Sequence, residues 1–206
     1  MNEFWIFKIA SVNFIVLLVL LLHTFSIFFK FKKLFVISLL ALLFFQYKTT
    51  TPQSLTLLDN DEQRIHQIRL KEYNPSNHYL RVIFFRLDLK FFLEGSFSTA
   101  LDRLQRNFFE GIDLNVYFFG GHPRQRVWAS DFEKLPYFLV IPFLVGLYQT
   151  LIRKKYLILI SASSAIALLT VIGHKNEMGP FVLLPSILVI IYFGTIDVWQ
   201  FLKSIR

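Results

Sequence analysis

The chain has 206 residues, of which 54% are hydrophobic and 25 are Phe, and its mean hydropathy of +0.50 is too apolar for a water-soluble domain of this size. Its formal charge of +8 invites a nucleic-acid reading, yet the surplus sits in short clusters between apolar runs. Elsewhere acids and bases nearly cancel, so no basic patch remains for a polyanion. The absence of Cys excludes disulfides and thiolate metal sites.

A membrane span needs about 20 apolar residues, and about five uncharged runs qualify as candidates. The first lies between Lys8 and Lys30, around "VNFIVLLVLLLHTFSIFF". No small-x-small cleavage site follows it and "KFKK" comes next, which predicts a retained span rather than a cleaved signal peptide. The second, "LFVISLLALLFFQY", lies between Lys33 and Lys48. At about 1.5 Å per residue it underfills an apolar layer of roughly 30 Å, so its flanking lysines must snorkel or the membrane must thin. Residues 135–152, 156–173 and 180–196 supply the rest, with kinks expected at Pro142 and Pro185. The expected fold is therefore all-α and polytopic: two N-terminal spans in residues 1–47, an extracytoplasmic helical segment over 48–134, and three C-terminal spans in 135–206.

Lysine and arginine in short loops mark the cytoplasmic side. Lys30, Lys32 and Lys33 fall between spans one and two, Arg153, Lys154 and Lys155 between three and four, and Lys203 and Arg206 after five. All three clusters lie on one side of the predicted layer. This places the N-terminus outside, residues 48–134 and the connection "HKNEM" outside, and the C-terminus in the cytoplasm.

Within the outer segment, "TTTPQS" reads as a linker and "DNDEQRIHQIRLKEY" as a helix whose acids suit the positive end of its dipole. "HYLRVIFFRLDLKFFLEG" puts Leu80, Phe84, Leu87 and Phe91 on one face, widened by Phe85, Leu89 and Phe92, which predicts contact with lipid or a partner through Phe84 and Phe91. "STALDRLQRNFFE" follows, with Leu101, Leu104 and Phe108 on one stripe and Gly111 closing it. Ser130 and Glu133 form a capping box before the third span. Helices lying along the membrane surface suit this composition better than an independent soluble domain.

Several groups could carry chemistry. In "YFFGGHPRQRV", Gly120 and Gly121 offer bare backbone amides, Arg124 and Arg126 planar donor forks, and His122 a further donor, a set suited to phosphate. The same loop also reads as a surface turn whose arginines pair with Asp131 and Glu133 while its aromatics sit in the interfacial belt. Asp59, Asp61 and Glu62, with His66 a turn on, could supply a general base or bind a divalent ion, but acids at a helix start serve capping first. His23, at membrane depth beside Thr24 and Ser26, suits hydrogen bonding between helices more than proton relay. His174, Lys175 and Glu177 read as a solvated connection. No cofactor or metal site is expected.

The stretch "DLNVYFFGGHPRQRV", with "FEKLP" and a span ending in "GLY" after it, resembles an outer-loop pattern of bacterial GT-C membrane glycosyltransferases related to protein O-mannosyltransferases and aminoarabinose transferases. Phe118, Phe119, Gly121, Pro123 and Arg126 match that pattern; His122, Arg124 and Val127 replace its Asp, Asn and His. The resemblance covers roughly residues 110–150. It implies the late part of a polytopic enzyme that moves sugars from a polyprenyl-phosphate carrier at the outer face, without the family's acidic catalytic motif. The expectation is thus a noncatalytic or split relative that contacts lipid-linked sugar phosphate or a partner enzyme. The alternatives are an interaction protein that docks another membrane protein through its Phe-rich outer helices, and a small complete enzyme using Asp61 or Glu62.

Overall fold

The computed structural model describes residues 5–50, 96–119, 135–173 and 178–205, and every regular element among them is helical. The chain divides into two compact units, Met1–Pro52 with Asn107–Arg206, and Gln53–Arg106. The first holds most of the described residues.

Its N-terminal run is two helices rather than one, α1 (Trp5–Val12) and α2 (Phe14–Phe29). Asn13 makes the break. It takes an extended conformation, and its side-chain oxygen accepts from the N–H groups of Ile15 and Val16, which would otherwise have no partner in the first turn of α2. Lys30 closes α2 in the left-handed region at φ 57°. Helix α3 follows as Lys32–Thr49. Its 18 residues run through the flanking lysines of the short apolar run, giving a helix about 27 Å long at 1.5 Å per residue.

Helix α4 (Ser96–Ile112) and the single turn α5 (Leu114–Tyr117) come next, with the Asp113 side chain capping α5 by accepting from Asn115 N–H at 2.9 Å. The burial of α4 differs from its apolar stripe: Leu101 and Phe108 are exposed, while Arg103 and Asn107 are buried. Asn107 is drawn in by a specific bond, its amide donating to Thr170 O at 3.1 Å.

Helices α6 (Val140–Ile152) and α8 (Leu184–Ile205) each begin with a 3-10 turn, Tyr137–Leu139 and Phe181–Leu183. Pro142 and Pro185 fall in the first α turn after it, where a missing N–H costs least. Helix α7 is Tyr156–Ile172. Phe181–Ser204, 24 residues at a hydropathy of 2.2, is long and apolar enough to cross a membrane. Tyr137–Ile152 and Tyr156–Ile172 meet that criterion as a pair bent by 113°, and Phe14–Phe29 is apolar but shorter.

Helix α8 is the centre of this unit, packing on α6, α2 and α7. From Met178 to Ile191 only Leu188 is less than buried. Its closest neighbour is α6, because Gly146 and Gly194 let the two backbones touch. A Cβ on Gly146 would overlap Ile190 O, and one on Gly194 would overlap Pro142 O and lie 2.7 Å from Gly146 N. Neither obstacle is a side chain that can swing away. Gly194→Ala is therefore expected to force the helices apart and cost about 1–3 kcal/mol, the usual range for overpacking. Denaturant titration in mixed micelles measures this directly, and an unchanged midpoint would mean that the crossing is not close. Gly111, which has nothing within 4 Å of its added Cβ, is the control position.

Candidate functional site

Inside the bundle lies a polar cluster centred on His23, contributed by four helices. The His23 ring bonds through Nδ1 to Ser38 Oγ on α3 and through Nε2 to Ser161 Oγ on α7, each at 2.9 Å. Ser186 on α8 donates to Ser161 Oγ, also at 2.9 Å. His23 and Ser161 are fully buried.

The direction of these bonds follows from donor supply. Ser38 gives its hydroxyl proton to Leu34 O at 2.7 Å, so towards the ring it can only accept. Nδ1 then carries the imidazole proton, and Nε2 accepts from Ser161. Ser186 completes a chain of donors running from α8 through α7 and α2 to α3. The ring also packs on Phe35, with centroids 5.0 Å apart. A serine hydroxyl donating to an imidazole whose other nitrogen is held by a third group is the arrangement of an activated nucleophile. Here Ser161 is fully buried and the chain ends on the Leu34 carbonyl, so the bonds join four helices.

His23 does bond between helices, but its partners are not the Thr24 and Ser26 that flank it. Both of those return to their own helix, Thr24 to Leu20 O and Ser26 to His23 O. The sequence marks the true partners only as serines within mostly apolar runs, and α7 offers Ser163 and Ser164 besides Ser161.

A second polar contact closes the opposite end of α3. Gln46, fully buried, accepts from Val182 N–H at 3.2 Å and donates to Thr50 Oγ1 at 3.0 Å and to Gly179 O at 3.4 Å. Val182 lies in the 3-10 turn that opens α8, where backbone N–H groups lack partners within the helix. Gln46 caps that turn from a different helix.

Tyr117 and Leu135, on either side of the predicted arginine-bearing loop, share an apolar cluster with Val182. Leu135 N–H donates to Tyr117 O at 2.8 Å, which ties together the two ends of the intervening segment. The Tyr117 hydroxyl donates to Gly111 O at 2.6 Å, and Phe118 packs on Phe143 of α6 with centroids 5.4 Å apart. Burial, with the Asp113 carboxylate adding to it, holds the Tyr117 phenol well above its ordinary range, so it remains a neutral donor.

Gly120, Gly121, His122, Arg124 and Arg126 of that loop lie outside the described residues, as do Phe84, Phe91, Asp59, Asp61, Glu62, His66, His174, Lys175 and Glu177. Among the described residues, no three of His, Asp and Glu gather as metal ligands. The described chain is an all-helical protein with one helix long and apolar enough to cross a membrane. Comparison with protein-family models, with curated proteins and with solved structures gives no match.

Bonds between helices in membrane proteins are worth about 0.6 kcal/mol on average and up to about 1.7. Ser161→Ala removes two of them and is expected to lower unfolding free energy by about 1–2 kcal/mol, whereas Thr24→Ala, which breaks only a bond within α2, changes it little. Denaturation of both variants in micelles gives the comparison. Equal effects would remove the His23 cluster as a link between helices.

Proposed function

We propose that this protein is a multi-span membrane subunit without catalytic machinery of its own, whose outer end contacts a lipid-linked sugar phosphate or the enzyme that uses it. The observation that carries the membrane reading is the distribution of polarity. His23, Ser38, Gln46, Thr150, Ser161 and Ser186 are buried, while α2 exposes Phe14, Leu18, Leu21 and Phe25, and α3 exposes Ile37, Leu40 and Phe44. So continuous an apolar surface is stable against lipid and a liability in water.

In this reading the lysine-rich turns face the cytoplasm, and the Gln46 and Tyr117 end faces outward. The phosphate contact rests on the resemblance of residues 110–150 to GT-C outer loops, with Gly120, Gly121, His122, Arg124 and Arg126 as its donors. The bond between Tyr117 and Leu135 supports it, because it holds together the two residues that flank the segment carrying those donors. A second reading is an interaction protein that docks a membrane partner through Phe84, Phe91 and neighbouring outer helices. It is favoured by exposed Phe108 and Phe109 at the end of α4.

Topology has a direct test, since the chain has no native Cys. Single cysteines replacing Ser204 and Asn115 are expected to react with a membrane-impermeant maleimide from opposite sides, Asn115→Cys from outside. Labelling of both from the same side would overturn the orientation. Function is read by native mass spectrometry of the protein extracted from its own membrane, beside an Arg124→Ala, Arg126→Ala variant. Loss of a retained polyprenyl-phosphate species in the variant is the expected result. A protein partner retained equally in both samples, without carrier lipid, would replace phosphate contact with docking.

A further inference from the structure

The turns at the lysine-rich end come together more closely than orientation in a membrane requires. Phe28, near the end of α2, packs on Tyr192 and Phe193 of α8, with centroids 5.0 and 6.1 Å away. From the turn between α6 and α7, the Lys155 ammonium lies over that same Phe193 ring, 2.9 Å from its centroid. One helical turn further along α8, Asp197 Oδ1 lies 3.8 Å from Arg153 Nη2. Lys30, two residues beyond Phe28, is near enough to Lys155 to act on it electrostatically. Phe193 and Asp197 thus form a floor under the two cations of the turn between α6 and α7, and Phe28 brings the end of α2, with Lys30 beyond it, against the same ring.

The geometry points to a binding site for the headgroup phosphate of an anionic phospholipid, formed by Lys30, Arg153 and Lys155 against Phe193 and Asp197. This inference rests on the membrane reading above. Arg153 pairs with Asp197, and Lys155 feels the charges of Arg153 and Lys30 against that one carboxylate, an excess of positive charge that a bound anion would offset. The Lys155 ammonium titrates below its ordinary value, chiefly through burial and then through Arg153, with Asp197 opposing and Lys30 adding. A bound phosphate would reverse that direction.

One feature separates this site from charge that merely orients the chain. Orientation requires basic residues somewhere in the loops, whereas here Lys155 is seated on an aromatic ring of α8 and Arg153 on the carboxylate one turn along it. A lipid fits better than free phosphate because the site borders exposed Phe29, Phe31 and Tyr192, which would lie along acyl chains.

The test is native mass spectrometry of the full chain in detergent, titrated with phosphatidylglycerol, phosphatidylcholine or inorganic phosphate. Phosphatidylglycerol is expected to bind selectively, and Lys30→Gln with Lys155→Gln to weaken it at least tenfold. A charge-matched control, Lys33→Gln with Lys203→Gln, should leave it unchanged. Asp197→Asn should tighten binding several-fold, which keeps the inference testable if the double variant misfolds. Equal weakening in test and control variants, saturable binding of phosphate without lipid, or no gain from Asp197→Asn would overturn it. Detergent removes sidedness, so this result is independent of the cysteine-labelling test of topology.

Discussion

The contact on which the unit depends is the meeting of two backbones at Gly146 and Gly194. Once α6 lies directly on α8, α8 is held at the centre, and its other sides are left for α2 and α7. Ser186 then meets Ser161 on α7. Burial of the stretch from Met178 to Ile187 does not by itself select this placement, because an apolar segment can hide from water in many ways. A backbone contact has far fewer solutions, and it selects one register.

The polar bonds make the same selection by another route. In apolar surroundings an unpaired hydroxyl or amide has no water to turn to, so each buried polar group adds a demand for a particular neighbour. His23 makes two such demands on opposite edges of one ring, and Ser38 and Ser161 answer from different helices. Gln46 repeats the logic at the far end of α3, where it satisfies a helix start that has no side-chain cap of its own. Close packing brings α6 and α8 together, and hydrogen bonds set α2, α3 and α7 around them.

This division leaves the two ends of the bundle chemically different. At one end, neutral hydrogen bonds from Gln46, Tyr117 and Leu135 hold turns and loop bases in place. At the other, Arg153 pairs with Asp197 while Lys155 lies over Phe193 and feels Lys30 electrostatically. The buried His23 cluster between them links four helices through hydrogen bonds.

The helical class, the approximate bounds of the apolar segments and the clustering of basic residues in their turns were all legible in the chain, because hydropathy, charge and helix length are properties of consecutive residues. His23 was legible too, as a polar group between helices. The remainder waited on the packed bundle. Asn13 splits the first apolar run because its side chain captures two amides, and Asn107 rather than the Leu101 and Phe108 stripe is turned inward because Thr170 offers it a carbonyl. Ser38, Ser161 and Ser186 become one site with His23 although up to 138 positions separate bonded partners. Spacing along a chain cannot reveal which faces of separate helices will meet, and that depends on where glycines let backbones touch and where buried donors find acceptors.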